Sequence, residues 1–179
     1  HSMHVHQSLT RRFEDLNPSD CIDVSYEHAL GLFDGAPVET GHYDIVFSTD
    51  KLAQFFNVFS SLFSAKAAIN DMNPWKSKVG SEVATSMLTM TDSPLLEKGF
   101  AYSMFDGEGN MMSETPLIKD GVLTGFYHNS YTAKKLGQEN TFNATRSPKS
   151  SLGVGGTNKI ISSVESDDSS FAKGTYFEI

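Results

Sequence analysis

The sequence predicts an α+β fold: a mostly antiparallel β-sheet with a long Phe-rich core helix and shorter flanking helices. Three observations carry this. Helical apolar spacing is confined to a few segments. From Ser81 onward short alternating runs are separated by Gly, Pro and Asp turns. Four of the thirteen Phe fall on one helical stripe between residues 51 and 70.

In chain order, Asn17-Pro18 supplies an N-cap and a proline at the first helical position. Ile22, Tyr26, Ala29, Leu30 and Phe33 follow at spacings of three and four, and Gly35 and Pro37 stop the helix. Tyr43, Ile45 and Phe47 alternate in a short strand over His42–Phe47. Ser48-Thr49-Asp50 opens the strongest helix, about Lys51 to Asn70, with Leu52, Phe55, Phe56, Phe59, Leu62, Phe63 and Ala67 on its apolar stripe. Asn73-Pro74 breaks it.

Strands are expected at Ser86–Thr91 and Phe100–Phe105. Asp106-Gly107-Glu108-Gly109 is a turn into an extended segment, Met111–Ile118. Asp120-Gly121 reverses the chain, because that pair tolerates the positive φ of a tight hairpin. Val122–His128 returns, and a helix over Ser130–Leu136 ends at Gly137. A long loop of Ser, Gly and Pro covers 145–158, and a last strand is expected at Thr157–Val164. Residues 1–16 read as a tag remnant and tail, and 17–179 as one segment. The strand-like run Gly174–Ile179 reads as a chain cut at its C-terminus.

Composition narrows the function. The chain has 179 residues, 39% hydrophobic and 20% charged, which is globular. Its charge of −8 lacks the basic footprint of direct nucleic-acid binding. No apolar run is long enough for a membrane span. Cys21 is the single cysteine, which fits a reducing compartment.

Self-sufficient catalytic motifs are absent. No two His stand at the zincin spacing, no Gly-x-Ser-x-Gly occurs, and no phosphate loop is complete. Gly153-Val154-Gly155-Gly156 lacks the third glycine of a dinucleotide motif. Asp106-Gly107-Glu108-Gly109-Asn110 begins like a calcium loop, but Met111 and Leu117 stand where Gly and Glu are needed. Cys21, in the first turn of a helix, is the one candidate nucleophile.

The order of segments is more specific. Phe105-Asp106-Gly107-Glu108-Gly109, then Thr115-Pro116-Leu117-Ile118-Lys119-Asp120-Gly121-Val122-Leu123, then Ser130-Tyr131-Thr132-Ala133-Lys134-Lys135-Leu136-Gly137, resembles the TldD/PmbA family from about Asn17 to Ile161. The resemblance marks Asp106, Glu108, Gly109, Leu117, Ile118 and Gly121 as motif positions, with Asn143 and Arg146 as candidate contacts for substrate or partner. It implies a cytoplasmic metallopeptidase assembly that trims leader peptides and degrades unfolded chains.

In TldD-like members a His-Glu-x-x-x-His helix and a distant Cys hold the metal. The corresponding helix here, Lys51–Asn70, has neither His nor Glu, and Leu62-Phe63-Ser64-Ala65-Lys66 takes the motif's place. The chain is therefore similar to the PmbA/TldE branch, with no catalytic or metal residues of its own. Zinc is expected only in a TldD-like partner. The implied partners are that metal-bearing subunit, or a second copy in a homodimer, and extended peptides, with no direct nucleic acid and no membrane. Two alternatives remain: a protein-binding modulator of DNA gyrase, and an independent hydrolase using Cys21. The family's Ser-Thr-Gly-Asn is here Asn140-Thr141-Phe142-Asn143, with Phe142 in place of Gly, and the N-terminal domain and C-terminal portion of family members are expected to be missing.

Overall fold

The computed structural model describes residues 3–33, 35–163 and 176–178. The chain forms two compact units, 1–43 and 44–179.

The first unit holds a 3-10 turn at Phe13–Asp15 and helix α1, Pro18–Gly31. The turn lies within the stretch expected to be a tail. Asn17 caps α1 as its sequence demands, with its side chain accepting from the Asp20 N–H at 3.4 Å. The helix ends at Gly31, before the expected stops at Gly35 and Pro37. Its apolar stripe is uncovered: Ile22, Tyr26 and Leu30 are more than half exposed.

The second unit is built on a sheet of order β4-β3-β2-β7. Its strands are β2, Leu88–Asp92, β3, Thr115–Lys119, β4, Val122–Leu123, and β7, Lys159–Ser163, all antiparallel to their neighbours. β1, Asp44–Val46, pairs in parallel with β8, Tyr176–Glu178. Two short strands, β5 at Ala144–Thr145 and β6 at Gly153–Val154, pair with each other, β5 at the start of the stretch expected to be a plain loop and β6 within it. The α+β architecture with a mainly antiparallel sheet is as the sequence predicts.

The Phe-rich helix is the main difference. It is three pieces: α2, Thr49–Val58, a 3-10 turn at Ser60–Phe63, and α3, Ala65–Ile69. At the second break a serine hydroxyl competes with helical backbone bonding. The Ser64 side chain caps α3 by accepting from the Ala67 N–H at 3.2 Å. The backbone on either side of it leaves the helix for Tyr127: Tyr127 N–H donates to the Phe63 carbonyl at 2.7 Å and Ala65 N–H to the Tyr127 carbonyl at 3.2 Å. The break divides the stripe. Phe63 is buried, Phe56 packs at the core's margin, and Phe55 and Phe59 are each 41% exposed.

The core joins Phe63, Ala65 and Ala68 to Met90, Leu117, Ile118, Leu123, Phe126 and Tyr127. Trp75, the single tryptophan, stacks edge-on against Phe63 with ring centres 5.7 Å apart. Asn73 makes the break after α3 rigid. Its amide donates to the Leu62 and Ser64 carbonyls, and its side-chain oxygen accepts from the Trp75 N–H at 2.8 Å.

Phe100–Phe105 is not a strand. Its backbone is tied elsewhere, with Ala101 N–H donating to the Asn158 side chain and Ser103 N–H to the Pro94 carbonyl. Only Phe105 makes a bridge, to Met111. The Asp120-Gly121 hairpin forms as expected, with φ of 49° and 80°. The return strand is shorter than expected and ends at Leu123. Helix α4, Ser130–Leu136, is capped at both predicted ends. Among the described residues, no helix is long and apolar enough to cross a membrane.

Candidate functional site

The motif segments, distant in sequence, converge on the turn at Asp106. This carboxylate is nearly buried and acts as a four-way acceptor. Oδ1 accepts from the Glu108 N–H and the Asn110 N–H at 2.9 Å each, and from the Asn110 amide at 3.4 Å. Oδ2 accepts from the Ala144 N–H at 3.2 Å. Gly107 N–H donates to the Ala144 carbonyl at 2.7 Å. An added Cβ on Gly107 would stand 3.0 Å from the Ala144 carbonyl oxygen, so glycine permits the close approach. Gly109 has φ of 86°, which closes the turn. Asp106 thus orders its own turn and fastens β5 to it.

Glu108 serves the next motif. Its Oε2 accepts from the Ser130 N–H at 2.9 Å and from the Ser130 hydroxyl at 2.7 Å, at the first turn of α4. A carboxylate there satisfies orphan donors and complements the helix dipole. Asn129 and Thr132 form a capping box beside it.

Leu117 and Ile118 are buried core residues of β3. Gly121 is required by its neighbours as well as its φ, since an added Cβ would lie 2.6 Å from the Ala84 carbonyl oxygen. Asn143 is fully buried. It accepts from the Thr115 hydroxyl at 3.1 Å, donates its N–H to the His128 carbonyl and accepts from the Gly155 N–H. Arg146 is exposed, and its Nε donates to the Gly107 carbonyl at 3.0 Å. The structure therefore joins Asp106, Glu108, Gly109, Asn143 and Arg146 around one turn and places Leu117, Ile118 and Gly121 in the hairpin beneath. Cys21 is on α1, in the other unit.

A second cluster escaped sequence reasoning. Asp92, at the end of β2, is fully buried and accepts from the Thr157 N–H at 2.7 Å and hydroxyl at 3.0 Å. Burial raises its pKa, against the opposing pull of Thr157, the Tyr127 hydroxyl and Lys159. Burial, with the Asp92 charge beside it, pushes the Tyr127 phenol far above its ordinary range. Burial lowers Lys159, opposed by Asp92. Gly156 covers this cluster, and a Cβ there would collide with the Tyr127 hydroxyl and the Asp92 carboxylate. Asn158 completes the fastening: its amide donates to the Ser93 carbonyl at 3.0 Å and the Ala101 carbonyl at 3.3 Å. An Asp in a turn-like Asp-Ser-Pro gave no sign of this, because its partner is 65 residues away.

His128 is buried, which lowers its pKa against the opposing Thr132 backbone. Its Nδ1 and the Asn143 Nδ2 are buried without a protein partner. Among the described residues, no group of three or more His, Cys, Asp or Glu is arranged to hold a metal ion. At the position of the expected metal-bearing helix, Phe63 and Ala65 point into the core at 2% and 0% exposure.

Known proteins are similar to this chain in sequence and fold. A metalloprotease of Methanothermobacter thermautotrophicus is 30% identical over 139 residues, which cover 75% of this chain and 30% of that protein. The metalloprotease PmbA of Escherichia coli O157:H7 is 39% identical over 66 residues, covering 37% of this chain and 15% of its own. Among solved structures, one described as a DNA gyrase modulator from Thermotoga maritima superposes with a TM-score of 0.77 at 29% identity, over 84% of this chain and 34% of that one. TldE from Thermococcus kodakarensis superposes with a TM-score of 0.78 over 90% of this chain and 37% of that one, and at 22% identity it shows the fold. The chain thus spans about a third of such relatives or less. The model of the PmbA/TldA metallopeptidase C-terminal domain matches residues 40–176, from just before β1 into β8, and takes in every motif that meets at Asp106. This chain belongs to the PmbA/TldD metallopeptidase family.

Proposed function

We propose that this chain is a TldE-type, non-catalytic part of a cytoplasmic peptidase assembly that trims leader peptides and degrades unfolded peptides. Its partner is a TldD-like, metal-bearing subunit, with a homodimer as the alternative pairing. The observation that carries this is the fate of the family's metal-bearing helix. In this chain that stretch is broken at Ser64 and turns Phe63, Ala65 and Ala68 into the core, so its inward positions pack instead of ligating. The segment has no His and no Glu to offer a metal.

The turn at Asp106 would then present a wall to the peptide. Asp106 and Glu108 hold its shape, Asn143 anchors the strand behind it, and Arg146 is the member that a ligand reaches. Backbone pairing suits such a role because it tolerates varied sequences.

Co-expression with a TldD-like subunit tests the reading. The two are expected to co-purify, and casein hydrolysis to require both. Hydrolysis by this chain alone, abolished by Cys21→Ala, would overturn the proposal. Recovery of gyrase in place of the TldD-like subunit would do so as well.

A further inference from the structure

The 146–152 loop bends around an open cleft of about 630 Å³ lined by Arg146, Ser147, Pro148, Ser150 and Leu152. Both ends of the loop are held by cations. Arg146 is fixed through Nε on the Gly107 carbonyl at 3.0 Å, which leaves the rest of its guanidinium fork for other partners. Among the described residues, no carboxylate forms an ion pair with it. At the far end, Lys66 Nζ donates to the Leu152 carbonyl at 3.0 Å and the Ser151 hydroxyl at 3.4 Å. The Ser147 and Ser150 hydroxyls lie 2.9 Å apart at the rim.

The cleft lining carries one cation, Arg146, and no carboxylate. The sequence has 22 acidic residues, yet none from Asn140 to Val164, a stretch that holds Arg146, Lys149 and Lys159. A cation in a cleft whose own lining has no carboxylate favours an anionic group there. Its dimensions and walls narrow the class further. A lone inorganic oxyanion occupies a few times the ~30 Å³ of a water and would leave most of the cleft empty. Pro148 and Leu152 supply apolar contact beside the charge. The fit is to a carboxylate on a larger, partly apolar body.

We propose that the 146–152 loop binds the carboxylate of a peptide, with Arg146 as the cationic anchor, Ser147 and Ser150 as hydroxyl donors, and Pro148 and Leu152 as apolar walls. This rests on the peptide-handling role above and specifies what that surface recognises. Two sources share the chemistry: the C-terminal α-carboxylate and an acidic side chain.

The experiment uses the full chain, without any partner, and follows the backbone N–H groups of Ser147, Ser150, Ser151 and Leu152 by NMR, which every variant keeps. The probes are acetyl-Ala-Ala-Leu as the free acid, the same peptide as the amide, acetyl-Ala-Glu-Leu-amide, and inorganic phosphate. The free acid is expected to bind about tenfold more tightly than the amide, the size of one charge-assisted hydrogen bond. Arg146→Gln is expected to erase the difference, and Arg146→Lys to keep part of it. Ser147→Asp, which brings a like charge to an exposed rim position, is expected to erase it without touching the Gly107 anchor. Equal binding of the Glu-containing amide and the free acid supports the site and makes a side-chain carboxylate its ligand.

Equal affinity for acid and amide, with no binding of the Glu peptide, overturns the proposal. So does a preference that survives both Arg146→Gln and Ser147→Asp, or phosphate binding as tightly as the free acid. The readout needs no TldD-like subunit. A failure here leaves subunit pairing intact, and a failure of pairing leaves this titration to stand.

Discussion

Phe142 holds φ at 55°, in the left-handed region that a side chain disfavours by about 1–2 kcal/mol. The resemblance to the family places a glycine at this position, and the backbone conformation supplies the physical reason. Its neighbours enforce it, since the Phe142 N–H donates to the Asn140 side chain at 3.0 Å and Asn143 is fixed in the interior. Phe142→Gly is expected to raise stability by roughly 1 kcal/mol, after the extra freedom glycine gives the unfolded chain is subtracted. In a thermal melt that is a gain of about 2–4 °C. His128 gives the pH dependence its sign. Its folded pKa lies below the ordinary 6.5, so the unfolded chain binds more protons in that window and stability rises with pH there. Urea denaturation is expected to show stability falling as the pH drops below about 6.5, and His128→Gln to flatten that slope. An unchanged slope in the variant would contradict the assignment.

The elements nearest the site depend on two carboxylates with separate duties. Glu108→Ala removes the acceptor at the first turn of α4 and is expected to cost about 1 kcal/mol, with Glu108→Gln milder because it keeps an oxygen. Asp106→Ala strips partners from three backbone N–H groups and is expected to cost about 3 kcal/mol. Hydrogen exchange separates them, with the Glu108 variant loosening α4 and the Asp106 variant loosening β5. What the sequence shows of these elements follows the range of the interactions. Asn17, Asp120-Gly121 and Gly137 act within a turn of their own position, and the structure places their elements where local rules put them. The helix over Lys51–Asn70 fails at Ser64 because the competing bonds come from Tyr127, which no local pattern anticipates. Phe100–Phe105 fails for the same reason: its alternation is strand-like, but Asn158 and Pro94 take the backbone groups a strand would have used.

Across the whole molecule, the site divides along the same line. The positions at the Asp106 turn are marked by the order of motifs, while Asp92, Tyr127 and Thr157 meet only through tertiary contacts and leave no pattern to read. The net charge of −8 is uneven, and its acid-free stretch coincides with the loop beside the turn. The carboxylate site proposed above lies in that stretch. In the first unit Ile22, Tyr26 and Leu30 of α1 are exposed, and in the second Phe100, Tyr102, Met104 and Phe105 are exposed. The central claim is that this chain contributes walls and contacts, and that the metal belongs to its partner. Metal analysis of the tag-free, purified chain tests it most directly. The account predicts zinc far below one equivalent after dialysis, with stoichiometric zinc in the complex with a TldD-like subunit. One equivalent of zinc bound to this chain alone would contradict it.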